Sequence, residues 1–523
     1  MLGFNISGLA MATISAAAAA PFLVTRAAKR TENCNLPPSI PGSLPLLGNL
    51  LQLGTSPHKR FTEWSKTFGP IFTFRAGACL WVVLNDLDTM KDLIITRGAK
   101  YSSRNMNEII QIATGDGRVF AAGPNDARWK KFRRVATLAL TKAKVNEYQA
   151  IIDLQSKRFL KLLHDAHQRS TKGIELKEYF TFYTLSTIVS IAFGKQITNI
   201  DDPELQEQQF IMDRFMQIAG VGSQILEFFP FLKYTPFNQD IGSAYEFRAH
   251  VEASWCRLVN ETRLHLVTGQ WHPSFMSNLL QSPEAEGLSD LDLAYLGGLI
   301  VGAGFESTAL SMEWLCAVLV NYPWVQERIF QELDAVVGRD RLPELADFDK
   351  LPYLQSTMHE IWRFRTPGWL AIPHCTTEDD EYRGYFIPKG TTVLINLHAI
   401  HMDPDTYAEP EVFMPERHLE AVTAFLEHGQ HIAFGDVPHW AFGSGRRACI
   451  GQLLAEREVL TGISRFLWAF RLEHVNDANG ANTPIDIDST IFGLASAPKP
   501  YRVALVLRDP SSLSVLEAFC DTA

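Results

Sequence analysis

The chain has 523 residues, of which 46% are hydrophobic and 20% charged, with a formal net charge of −10. This composition is ordinary for a globular enzyme with one large core, and the acidic balance excludes simple charge-driven binding to nucleic acid. Seven widely spaced cysteines without a CxxC pair argue against a structural zinc site and against a disulfide framework.

The first 25 residues carry no charge and are followed by Arg26, Lys29 and Arg30. A helix of about 25 residues spans roughly 37 Å, enough for a bilayer core of about 30 Å. Residues 1–25 are therefore predicted to be a transmembrane anchor. The basic residues follow the apolar run, which disfavours a cleaved signal peptide and leaves the remainder of the chain in the cytosol. Residues 26–49 read as a basic, proline-rich linker containing LPPSIPGSLPLLGN, and residues 50–523 as one large catalytic domain.

Within that domain helical periodicity dominates. Short strands are predicted at Ile71–Arg75, Trp81–Leu84 and Thr392–Ile395, and amphipathic helices at Gln326–Val337 and Gly451–Phe470. Leu293–Phe305 has no charged residue and is too short to span a bilayer, so it reads as a buried core helix. The fold class is mainly α with small β-sheets.

The strongest chemical signal is Ala441–Gly451, AFGSGRRACIG, which places Phe442, Gly445, Arg447, Cys449 and Gly451 in the pattern FxxGxRxCxG. Five fixed positions match by chance in such a chain on the order of once in ten thousand. A thiolate ligand needs backbone N–H donors and positive surroundings, and glycines let the backbone approach it closely. The helix after Cys449 points its positive end at the sulfur.

The sequence here resembles the cytochrome P-450 superfamily, over nearly the whole chain. The resemblance implies a haem-thiolate fold with haem b (iron protoporphyrin IX) as cofactor and Cys449 as the axial ligand of its iron. Weaker motifs follow in the family's order. Glu360-Ile-Trp-Arg363 matches the ExxR helix. Phe413-Met-Pro-Glu-Arg417-His418 resembles the PERF segment with His418 in place of phenylalanine, and in the family Glu360, Arg363 and Arg417 lock together as structural residues. Trp129 and Arg133 match WxxxR, and with Arg447 are expected to meet the haem propionates. His374 occupies a further propionate position, with a satisfied loop histidine as the alternative.

Ala303-Gly-Phe-Glu306-Ser307-Thr308 resembles the oxygen-binding segment, with Ser307 where threonine is usual. The resemblance implies that Glu306 and Ser307 deliver protons for O–O cleavage, Thr308 substituting if the helix is rotated. Lys130, Lys131, Arg134 and Arg446 form an expected docking patch for NADPH-cytochrome P-450 reductase, the partner flavoprotein that passes on electrons from NADPH. An ordinary solvated face is the alternative.

The implied function is insertion of one atom of dioxygen into an apolar small organic substrate. A haem-thiolate isomerase or dehydratase that uses no dioxygen is the alternative. Substrate walls are expected from residues 105–125, 208–234, the buried helix, 366–372 and 491–497. Phe228-Phe-Pro-Phe-Leu232 is either a membrane-dipping entrance or core. YSSR at 101–104 and DDEYRGYFIPKGT at 379–391 resemble fungal microsomal members of secondary metabolism, so the expected location is the endoplasmic reticulum membrane with the catalytic domain cytosolic.

Overall fold

Ser289 starts the longest helix: its hydroxyl accepts the Asp292 N–H at 3.2 Å, and the Asp292 carboxylate accepts the Ser289 N–H at 3.0 Å. This reciprocal cap satisfies two of the four donors that a helix start leaves open. The computed structural model describes residues 34–522 apart from 78, 171, 220–226, 230–238, 271, 429–438, 476–483, 492 and 494. The expected anchor at 1–25, the start of the linker, and parts of the expected substrate walls lie outside the described residues.

The helices that position the site are α1 (Ala127–Ala139), α2 (Gln149–Arg169), α3 (Lys177–Phe193), α4 (Pro203–Ala219), α5 (Gln239–Thr268), α6 (Asp290–Asn321), α7 (Pro352–Phe364), α8 (Glu416–His428) and α9 (Gln452–Ala469). α6 is long and apolar enough to cross a membrane, but it runs through the interior, packed on α3 and α5, with most of its side chains buried. It outruns the charge-free stretch that predicted it because Glu306 and Glu313 continue it, and burial raises each of their carboxyls to about 7.

Strands β1 (Ile71–Ala76), β2 (Cys79–Leu84), β3 (His374–Cys375) and β4 (Thr392–Ile395) form one sheet in the order β1-β2-β4-β3. β1 and β2 are antiparallel with Ile71 opposite Leu84, and β2 runs parallel to β4 with Trp81 opposite Thr392. Val82, Val83 and Leu84 are fully buried, as the unbroken apolar run CLWVVL requires of an inner strand.

Residues 34–49 are pinned to this sheet, so they belong to the folded domain and the boundary expected at residue 50 shifts upstream. The Thr73 N–H donates to the Pro38 carbonyl at 2.8 Å and the Ile40 N–H to the Thr73 carbonyl at 3.0 Å. Asn49 donates its N–H to the Arg75 carbonyl at 2.7 Å and accepts the Arg75 N–H on its side chain at 3.0 Å.

Phe228 is buried beside Trp81, with ring centroids 6.1 Å apart, so of the two expectations for its segment it fits core packing. Gly77 makes this seat possible. Its φ is +57°, and a Cβ there would lie 2.2 Å from the Phe228 carbonyl oxygen.

Candidate active site

The loop around Cys449 turns through glycines that have little room. Gly445 has φ +61°, and a Cβ on it would lie 2.6 Å from the Ile94 carbonyl oxygen. The Cys449 N–H donates to the Phe442 carbonyl at 2.8 Å. α9 begins at Gln452 with Gly451 as its cap, so the N–H groups of Gly451 and Gln452 reach the Cys449 sulfur. A Cβ on Gly451 would sit 3.8 Å from that sulfur. Burial raises the Cys449 thiol, while the Gly451 N–H, Arg133 and the Gln452 N–H pull it down. Of the seven cysteines only Cys449 is exposed, yet it is deeply surrounded by protein, so it faces an interior space.

Beside this loop lies a group of cations and donors. Arg447 spends its guanidinium on two segments either side of the helix Glu108–Ala113: Nε donates to the Ser102 carbonyl at 2.7 Å, Nη1 to the Phe120 carbonyl at 2.9 Å and Nη2 to the Gly123 carbonyl at 2.7 Å. It stacks over the Trp129 ring at 4.5 Å. The Trp129 indole N–H is buried without a hydrogen-bond partner. Arg133, one turn on, donates to the Ala448 carbonyl at 2.7 Å and so braces the Cys449 loop. His374 donates from Nδ1 to the Tyr101 carbonyl at 2.7 Å, which leaves Nε2 as the basic nitrogen.

Arg104, which sequence reasoning missed, completes the group. It donates to the Pro373 carbonyl at 2.7 Å and to the Ile372 carbonyl, while its Nε has no partner. Burial and the neighbouring Arg447 push Arg104 down to about 9. Burial and Arg133 push Arg447 down to about 10, and burial, Arg104 and Arg447 push His374 well below the usual histidine range. No carboxylate forms an ion pair with Arg104 or Arg447 among the described residues. The set has the donors and positive field to hold an anion.

On α6, Ala303 and Ser307 are exposed one turn apart, and the Ser307 hydroxyl donates to the Ala303 carbonyl at 3.3 Å. Thr308 is buried and its hydroxyl is spent on the Gly304 carbonyl at 2.7 Å. Glu306 lies on another face. Burial and then Asp213 raise its carboxyl to about 7, against Lys177. No hydrogen bond joins Glu306 to Ser307 among the described residues.

The charges behind Cys449 are mutually satisfied. Glu360 Oε1 accepts from Arg363 at 2.7 Å, from the Met414 N–H at 2.9 Å and from Arg417 at 3.0 Å, and Oε2 accepts from Arg363 and His418, each at 2.8 Å. Arg363 also donates to the His401 and Pro410 carbonyls at 2.8 and 2.9 Å. Glu360 and Arg363 are fully buried, a state that only such pairing sustains.

The family's sequence model, cytochrome P-450, matches residues 37–505. The chain belongs to the cytochrome P-450 family. It is 32% identical over 489 residues to a cytochrome P-450 monooxygenase of Armillaria gallica, covering 92% of each chain. A cytochrome P-450 monooxygenase of Aspergillus niger is 30% identical over 496 residues, covering 91% of this chain and 90% of that one. A zebra fish cytochrome P-450 solved with progesterone superposes with a TM-score of 0.71 at 27% identity, covering 86% of this chain and 99% of that one. This cytochrome P-450 is a monooxygenase.

The family implies haem, and the residues fit it. The orphaned Trp129 N–H, the unpaired Arg104 Nε and the uncompensated Arg104–Arg447 charge suit the two propionates, while the N–H donors at Cys449 suit a thiolate. On the outer face of this P-450, Lys130 and Arg446 are exposed, but Arg134 pairs with Glu284 at 2.7 Å and Lys131 donates to the Glu286 carbonyl at 2.9 Å. The expected docking patch is thus partly neutralised by an acidic loop from the same chain.

Proposed function

We propose that Cys449 is the axial thiolate of haem b and that this monooxygenase oxidises an apolar organic substrate of secondary-metabolite type. In this reading electrons come from NADPH through a flavoprotein reductase that docks near Lys130 and Arg446. The observation that carries it is the Cys449 sulfur receiving the Gly451 and Gln452 N–H groups at the start of α9. Haem bound there supplies the reduction and cleavage of dioxygen.

The chain's own residues then have separate tasks. Arg133 and the two N–H groups favour the ionised sulfur against burial. Arg104, Arg447, Trp129 and His374 bind the propionates, Arg447 largely through its field because three of its five N–H donors go to carbonyls. Phe442, Gly445 and Gly451 shape the loop. Ser307 is the hydroxyl that meets substrate-side space and donates a proton, since Ser307 is exposed whereas Thr308 is buried and its bond to the helix carbonyl is the shorter of the two. Glu306, held protonated near neutrality, resupplies it through water. The bound pair Glu360 and Arg363, with Arg417, is structural. Exposed Ile372 and Ile491, in two of the expected walls, favour an apolar ligand. The segment 1–25 anchors the protein in the endoplasmic reticulum membrane with the catalytic domain cytosolic.

The test is Cys449→Ala and Cys449→His. Each folds, and each loses the carbon monoxide spectrum of a thiolate-ligated haem. Retention of that spectrum in Cys449→Ala overturns the assignment. For the oxygen side, Ser307→Ala lowers product formed per NADPH consumed. A loss confined to Thr308→Ala moves the role to Thr308.

A further inference from the structure

Trp362 lies between Glu360 and Arg363 on α7 and is buried. Because both neighbours are tied into the charge lock, its backbone is held rigidly behind the Cys449 loop. Its indole N–H needs an acceptor in this dry surrounding. It donates to the Ser311 hydroxyl at 3.1 Å, and that hydroxyl donates to the Ser307 carbonyl at 2.8 Å. Bonding of a serine hydroxyl to the carbonyl four residues back bends a helix locally. The turn of α6 that carries Ser307 is therefore set by Ser311, and Ser311 is set by Trp362.

The same indole also touches the other half of the site. Its ring packs edge-on against Phe442 with centroids 5.1 Å apart, and against His439 at 5.5 Å. Phe442 supplies the carbonyl that accepts the Cys449 N–H at 2.8 Å. One rigid side chain thus contacts the residue that fixes Cys449 and, through one hydroxyl, the turn that carries Ser307.

We infer that Trp362 is a positioning residue that fixes Ser307 relative to Cys449 and thereby sets how dioxygen is partitioned between peroxide and water. The inference rests on the reading that Ser307 donates the proton. Dioxygen with two electrons and two protons gives hydrogen peroxide, one per NADPH. With four electrons and four protons it gives two waters and uses two NADPH. A displaced Ser307 favours the first outcome.

The experiment uses the full-chain holoenzyme with a microsomal flavoprotein reductase, NADPH and no added organic substrate, and reads hydrogen peroxide released per NADPH consumed. This ratio is per turnover, so loss of haem or of folded protein alone does not move it. Trp362→Phe keeps a ring against Phe442 but removes the N–H, and Ser311→Ala removes the acceptor. Each shifts the peroxide-to-water partition toward peroxide, on the order of fivefold, the effect of one buried hydrogen bond. The double variant goes no further than either single one, because both break the same link. Ser311→Ala keeps the thiolate-type carbon monoxide spectrum. If Ser307→Ala raises the ratio while Trp362→Phe and Ser311→Ala leave it at the wild-type value, the inference is overturned and the reading of Ser307 stands. If only Trp362→Phe raises it, the effect does not pass through Ser311 and the inference is overturned. If Ser307→Ala leaves it unchanged, both fall.

Discussion

His418 donates from Nε2 to Glu360 Oε2 at 2.8 Å, so the carboxylate that holds Arg363 and Arg417 has a third side-chain partner where the family segment has phenylalanine. Against the effect of burial, the hydrogen bonds and charges of Arg363 and His418 depress the Glu360 carboxyl to about 2. His418→Phe removes one bond of several and fills the space with an apolar ring, so the expected cost is about 1 kcal/mol. Glu360→Gln leaves Arg363 buried without a counter-charge, and the expected cost is about 3–5 kcal/mol with loss of haem. Thermal unfolding and haem content of the two purified variants check the contrast.

Buried neutral histidines are expected to make the fold sensitive to acid above the range in which ordinary exposed carboxylates titrate. Burial lowers His359, His398 and His401 to about 3 and His58 to about 4. These groups stay neutral when folded, whereas the unfolded chain protonates them near 6.5. Stability from this source is complete above about pH 6.5 and falls as pH drops toward the folded values, by about 1.4 kcal/mol per pH unit for each proton. Glu306 and Glu313, raised to about 7, take up protons in the fold over the same range and offset part of this fall. The histidine contribution is therefore read as the difference in denaturant midpoint between the wild type and His359→Phe, which should shift in the variant's favour from pH 7 to 4.5. A difference that stays constant over this range rules the account out.

Trp129→Phe is expected to leave the apoprotein as stable as before, because the indole N–H has no protein partner to abandon. Haem should leave the variant roughly five- to tenfold faster, the value of one hydrogen bond to an anion. Transfer of haem to apomyoglobin measures that rate.

Glu306 is held protonated up to about pH 7 by burial and by Asp213. Peroxide per NADPH should therefore rise as pH climbs through about 7. Glu306→Gln should be high at every pH, and Asp213→Asn should move the inflection downward by removing a like charge. A wild-type ratio independent of pH between 6 and 8 would remove Glu306 from proton supply.

Gln452→Pro removes one N–H from the Cys449 sulfur at a position where helices accept proline. A less stabilised thiolate donates more strongly to iron, so the reduction potential should fall, by on the order of 50 mV. Redox titration of the holoenzyme decides it.

The sequence shows some of these features and hides others for identifiable reasons. The Cys449 loop and the Glu360–Arg363 pair are local, so their spacing survives in one dimension. The strands Trp81–Leu84 and Thr392–Ile395 were legible as apolar runs, the first starting two residues later than in the structure. The role of Arg104 was not legible: it stands in the YSSR stretch, but what it does depends on Arg447, far along the chain. Arg134 and Lys131 looked free for a partner because Glu284 and Glu286, which engage the arginine and the lysine, lie about 150 residues away. Trp362 was only a spacer within ExxR. What it touches, Ser311 and Phe442, is set by packing.

The pinning of residues 34–49 has a consequence for how the sheet behaves in crowded solution. β1 is one of the two outer strands of the sheet, and an open outer strand is a template for pairing with a second chain. Here Pro38, Ile40 and Asn49 occupy the outward N–H and C=O groups of Thr73 and Arg75. Trimming that stops before residue 34 keeps this guard strip, whereas trimming through residue 49 uncovers the strand and leaves it open to pairing with a second chain.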